Sequence, residues 1–181
     1  MKKIALVLMA IALISASALA GDMAKQGQWG IQTSLGIASQ PVTLAGQLPV
    51  ASVGAKFMVS ENIAVRVELG FVSSSPSGGG GSTSGYNIGA GFEYHMESKG
   101  GNVSPYVGAQ LGFAGMSVPG GGTTPTSFSV GGVFGGEYFF SSNFSWGGEL
   151  GIGFNSQGVS GATTTTIATG SATMIATWYL N

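Results

Sequence analysis

The feature that most narrows the fold is a strict two-residue alternation over Phe144–Phe154, FSWGGELGIGF. Phe144, Trp146, Leu150, Ile152 and Phe154 share one face, and Ser145, Gly147, Glu149, Gly151 and Gly153 share the other. A period of two is that of a β-strand, whose successive side chains point to opposite sides of the sheet. In a half-buried strand of a water-soluble sheet the second face is polar and meets solvent. Here it is glycine around a single carboxylate, so the bulky apolar face is the one that needs a medium to receive it.

The same arrangement recurs and predicts eight strands: Trp29–Ile37, Ser52–Ser60, Ile63–Val72, Gly85–Met96, Pro105–Gly115, Phe128–Phe140, Phe144–Phe154 and Ile167–Leu180. The third is the cleanest, with Ile63, Val65, Val67, Leu69 and Phe71 opposed to Arg66, Glu68 and Gly70. In the last, Ala172, Met174, Ala176, Trp178 and Leu180 form the apolar set. Connections alternate in length. Ser60-Glu61-Asn62 and Ser141-Ser142-Asn143 are tight turns, whereas Ser73–Ser84, Met116–Ser127 and Asn155–Thr166 are uncharged stretches rich in Gly, Ser and Thr that read as loops.

Residues 1–20 read as an export signal and 21–181 as one domain. Lys2 and Lys3 precede the apolar run Ile4–Ile14, and Ala18-Leu19-Ala20 fits a small-x-small cleavage site, with Ala16-Ser17-Ala18 as a second. The run is short of the ~20 apolar residues that a membrane-spanning helix needs. Removing the signal moves the formal charge from -1 to -3. Only 7% of residues are charged, against ~25% in ordinary soluble domains. No basic patch suits nucleic acid, and the chain has no cysteine for disulfides or thiol chemistry.

A sheet that is apolar on one side, small or polar on the other, and exported fits an antiparallel up-and-down transmembrane β-barrel of eight strands in the outer membrane of a diderm bacterium. Strands of this length match a tilted crossing of the hydrocarbon layer. An even strand number leaves both termini in the periplasm. Mapped by depth, the lipid-facing aromatics form two bands. Trp29, Phe57, Tyr94, Phe140, Phe144, Trp146 and Trp178 lie near the periplasmic ends, with Tyr138 on the same face. Phe71, Tyr86, Phe113, Phe128 and Phe154 lie near the outer ends. Girdles at both interfaces are expected where amphipathic rings meet headgroups.

Charges on the strands fall on the glycine-rich face. Lys56, Arg66, Glu68, Glu93, Glu137 and Glu149 all lie close to a periplasmic turn and so at similar depth inside the barrel. An eight-stranded barrel has room for side chains and little more, and ions enclosed there must be paired. Four carboxylates against two bases leave an acid surplus, to be met by protons, interior water or hydrogen bonds from Tyr106, Gln110, Thr173 or Tyr179. Two readings stand: a polar network that plugs the lumen, or a narrow cation-preferring path. His95, the only histidine, shares the inward face with Glu93 and reads as a member of that network rather than a catalytic base. No metal-ligand spacing is present. Gly131-Gly132 and Gly135-Gly136 lack the strand-to-helix context of a phosphate loop.

The segments Asn87–Met96 (NIGAGFEYHM) and Gly131–Phe140 (GGVFGGEYFF) share the pattern G-x-[FG]-E-Y. On these, the mature chain resembles the small outer-membrane β-barrel family typified by OmpX and the OmpA membrane domain. The resemblance implies descending strands with a luminal glutamate beside outward aromatics. It also implies contact with outer-membrane lipid, and handling by periplasmic chaperones and the barrel-assembly machinery during biogenesis. Members usually end on an outward aromatic. This chain ends Trp178-Tyr179-Leu180-Asn181, so either its assembly signal is atypical or its last register is shifted by one. The expected role is structural or surface-interacting, without catalysis or cofactor. The alternatives are a narrow channel for small solutes or ions, and a soluble secreted barrel around an apolar ligand, which the polar inward face disfavours. The external loops carry none of the charged or aromatic anchors that adhesive surfaces use.

Overall fold

The structure, a computed structural model, describes residues 24–36, 51–75, 81–96, 101–117, 125–159 and 162–180. The expected export signal and Ile37 lie outside these residues, as do the central parts of the loops after the first, third and fifth strands. Eight antiparallel strands follow one another in chain order: β1 Trp29–Gly36, β2 Ala51–Met58, β3 Ile63–Ser74, β4 Thr83–His95, β5 Val103–Ser117, β6 Thr126–Ser141, β7 Phe144–Val159 and β8 Ala162–Leu180. Each pairs with its sequence neighbours, and β1 pairs with β8 from Trp29↔Leu180 to Gly36↔Thr173, closing the barrel. Closure leaves no open edge within the paired region, which a hydrocarbon environment demands.

Alternation places the apolar set outside. Phe71 is 72% exposed, and Ile31, Val67, Leu69, Ile88, Leu111, Phe134, Leu150, Ile152 and Trp178 are exposed with it. A surface of this kind in water would be an association hazard; against acyl chains it is the expected exterior. The inside holds the polar set, with Lys56 at 0% exposure.

Several glycines of the inner wall are seats for large side chains. Across the ladder Lys56 faces Gly30, Arg66 faces Gly91, Glu93 faces Gly108, Tyr106 faces Gly135 and Glu137 faces Gly147. A Cβ on Gly135 would lie 2.5 Å from the Tyr106 ring, and one on Gly91 would lie 2.8 Å from Arg66 Nε. Below the polar layer, at the end bearing the chain termini, Met58, Ala64, Phe139 and Tyr179 form a small buried apolar cluster. The Phe139 and Tyr179 rings stack at 5.7 Å within it.

The strands run further outward than the alternation alone indicated, and one expected loop is largely strand. Asn155–Thr166 is almost wholly paired, from Asn155↔Thr166 to Val159↔Ala162, which leaves only residues 160–161 between β7 and β8. Gly, Ser and Thr made this stretch read as a loop. Four consecutive threonines are nonetheless β-branched and fit a pleated ladder when a partner strand is opposite. Within the same pair Gly151 faces Ser171 and Ile152 faces Thr169, so Gly170 is a bulge. A bulge inverts parity, which lets Ile167 and Trp178 both face outward. At the chain end Leu180 pairs with Trp29, Trp178 is exposed and Tyr179 is buried. The last register is therefore the unshifted one.

Packing onto glycine seats makes a discriminating expectation. Gly135→Ala places a methyl into the Tyr106 ring and should cost about 1–3 kcal/mol of stability as overpacking. Outward Gly148→Ala meets only ordinary contact, at 3.7 Å from the Thr173 carbonyl, and should be near neutral. Urea unfolding of the two variants in lipid vesicles, followed by tryptophan fluorescence, measures the difference.

Candidate functional site

Lys56 on β2 and Arg66 on β3 are direct register partners, an arrangement of like charges that disfavours the pair unless anions intervene. Glu93 on β4 intervenes. Its Oε2 lies 2.6 Å from Lys56 Nζ, and its Oε1 accepts from Arg66 Nη1 at 2.9 Å. The second contact of each base crosses the lumen. Lys56 Nζ donates to Glu137 Oε1 on β6 at 2.9 Å. Arg66 reaches Glu149 on β7 through both terminal nitrogens, each at 2.9 Å from a carboxylate oxygen, a bidentate geometry that ammonium could not supply.

Neutral groups complete the layer. Tyr106 Oη on β5 donates to Glu149 Oε2 at 3.1 Å, and Tyr179 Oη on β8 donates to Glu137 Oε2 at 2.9 Å. Arg66 Nη2 also donates to Gln110 Oε1 at 3.2 Å. Lys56 Nζ stands 5.5 Å from the centre of the Tyr106 ring, within cation–π range. The expected donors Tyr106, Gln110 and Tyr179 thus enter the network, while the threonine within reach of a carboxylate is Thr177, 3.4 Å from Glu137 Oε1, rather than Thr173.

His95 bridges two strands, with Nε2 at 2.9 Å from Glu93 Oε2 and Nδ1 at 2.8 Å from Ser104 Oγ. Hydroxyl, imidazole and carboxylate stand in line, the order a nucleophilic triad uses. All three are buried, and Glu93 is already shared with Lys56 and Arg66. The imidazole is held as a bridge between β4 and β5. Glu68 is set apart. Its nearest base is Arg66 Nε at 3.8 Å, its side chain is 22% exposed, and its Oε2 accepts from Ser52 Oγ at 2.9 Å and Ser34 Oγ at 3.3 Å.

The structure brings Lys56, Arg66, Glu93, His95, Glu137 and Glu149 into one connected layer, with Glu68 at its outward edge. Parity and depth along the strands locate these seven. They do not locate Ser104, which falls at a strand start that reads as a turn; Gln32 and Ser34 lie inward as the parity of the first strand indicates, but parity gives them no partners. Phe139 is missed because its apolar ring suggests the lipid face, although parity with Gly135 and Glu137 places it inside.

The aromatics expected at the interfaces lie on the outer face. Trp29 and Phe57 touch at 4.6 Å between ring centres. Tyr138, Phe140, Phe144 and Trp178 form a chain around the end that bears the tight turns, with successive separations of 4.8, 5.8 and 5.8 Å. Tyr94 and Trp146 are exposed near the same end. Toward the other end Tyr86 and Phe113 pair at 6.3 Å, and Phe71, Phe128 and Phe154 are exposed beside them.

Comparison with known proteins agrees with this architecture. The family model of the outer membrane protein beta-barrel domain matches residues 6–172. Among solved structures, outer membrane protein H (OprH) of Pseudomonas aeruginosa is similar at a TM-score of 0.57 and 14% identity, over 84% of this chain and 99% of that one. Outer membrane protein OprG of the same species is similar at a TM-score of 0.53 and 12% identity, over 90% and 100% of the two chains. At such identities the likeness is one of fold. No curated protein matches the chain in sequence. With the family model spanning nearly its whole length and its eight strands closed into one barrel, the chain belongs to the outer membrane protein β-barrel domain family.

Proposed function

We propose that the protein serves the outer membrane as a closed, non-catalytic barrel with a structural or surface-interaction role. In this reading its lumen is plugged at the level of Glu93. The observation that carries it is the position of the two bases: Lys56 and Arg66 each hold carboxylates on both sides of the lumen at 2.6–2.9 Å. Ions so engaged, with Tyr106 and the stacked Phe139 and Tyr179 as further luminal groups, support a lumen closed to hydrated ions. Opening it would mean breaking buried ion pairs, which costs about 3–5 kcal/mol per partner removed. The outer face, with its aromatic bands, provides the contact with lipid. Residues 1–20 act as the export signal that delivers the chain through the periplasm to the assembly machinery.

The test is conductance of the purified, refolded barrel in planar bilayers. A closed barrel gives no unitary steps under applied voltage. Reproducible cation-preferring steps would instead establish the narrow-channel reading.

The layer is also expected to stabilise the barrel. Tyr106→Phe keeps the ring on its glycine seat and removes only the hydroxyl that donates to Glu149. It should lower unfolding stability by about 2 kcal/mol, the scale of a hydrogen bond to a charged group, as read from urea transitions in vesicles.

A further inference from the structure

The surplus of carboxylates in the lumen has a definite location. Glu137, Glu93 and Glu149 each hold a lysine or arginine at 2.6–2.9 Å, whereas Glu68 has only the Nε of Arg66, at 3.8 Å. It is also the most exposed carboxylate of the layer, at 22%. Above it the side chains of β1 and β2 converge. Ser34 and Ser52 are register partners, and their hydroxyls contact each other as well as Glu68 Oε2. The glycine seat at Gly54 allows this, since a Cβ there would meet Glu68 Cγ at 3.0 Å.

Three oxygens therefore make three close contacts, while two hydroxyls supply only two hydrogens and an ionised carboxylate supplies none. Two further buried oxygens belong to residues in the neighbouring ladder rows. Gln32 lies in the same ladder row as Glu68, separated from it by Gly54, and is 1% exposed. Its Nε2 donates to Thr177 on β8, while its Oε1 is buried and accepts no hydrogen bond from the described residues. Asn87 lies in the row of Ser34 and Ser52, beyond Gly70, and its Oδ1 is likewise buried and unpartnered among the described residues. A buried carbonyl oxygen without a donor is costly unless something positive meets it.

We propose that this cluster is a binding site for a small, hard monovalent cation, Na+, held by Glu68, Ser34 and Ser52 with Gln32 and Asn87 completing the oxygen shell. All the donors are oxygens, which selects hard cations over softer transition metals. One carboxylate matches one positive charge, and the Arg66 guanidinium nearby disfavours a divalent ion. The partial exposure of Glu68 provides the entry route. The inference rests on the oxygen geometry around Glu68 and not on whether the layer below conducts.

A bound ion stabilises the folded state in proportion to the logarithm of its occupancy. The test is the urea midpoint of the intact barrel in vesicles, measured by tryptophan fluorescence at constant ionic strength while NaCl replaces N-methyl-D-glucamine chloride. The wild-type midpoint should rise saturably with sodium. In Glu68→Gln, which preserves shape, and in Ser52→Ala, the half-saturating sodium concentration should increase at least about tenfold, a loss of one order in affinity. Equal wild-type midpoints in the two salts would overturn the proposal, because a proton rather than a cation would then serve Glu68. Unchanged sodium dependence in both variants would overturn it equally.

Discussion

The Glu93 carboxylate is the interaction on which the rest of the interior depends. It receives Lys56 at 2.6 Å, Arg66 at 2.9 Å and His95 at 2.9 Å. Without an anion at that point, two cations would stand side by side in register on neighbouring strands, away from water. With it, each base is free to use its remaining donors on Glu137 and Glu149 across the lumen. Tyr106, Ser104, Thr177 and Tyr179 join the same network, so strands from every part of the circumference are tied at one depth. Removing the central carboxylate would leave charges stranded, and that is where buried ion pairs are most sensitive.

The glycine content follows from this layer. A barrel of eight strands is too narrow for long side chains to face one another around the whole ring. Many long luminal residues are instead set opposite a glycine, as Tyr106 is to Gly135 and Arg66 to Gly91, and lie over the bare backbone. The alternation of bulky and bare positions is thus used twice. Outside it presents apolar groups to lipid, and inside it interdigitates large residues with gaps that fit them. Room for water is consequently less than the number of inward glycines suggests.

Much of this was legible in the sequence, and the limits are physical. Parity alone separates lipid face from lumen, and distance from the tight turns sets depth, so Lys56, Arg66, Glu68, Glu93, Glu137 and Glu149 can be placed together. Pairing cannot be read that way. Which carboxylate meets which base depends on shear and on how far side chains cross the lumen, and neither is written in one strand. The β7–β8 hairpin was hidden because Thr and Gly are common to loops and to exposed strands. The bulge at Gly170 was hidden because it shows only when the two partners are laid side by side. Phe139 reads as a lipid-facing ring by type, and only its parity reveals the buried floor.

Glu93 is expected to hold the lumen together energetically and not merely by proximity. A double-mutant cycle between Arg66→Met and Glu93→Gln, read from urea unfolding in vesicles, isolates that coupling from the cost of each single change. The expected result is a favourable coupling of more than about 1 kcal/mol, within the range seen for residues sharing one ion-pair network. Additive effects of the two substitutions would contradict it, and would mean that the layer fills the barrel without securing it.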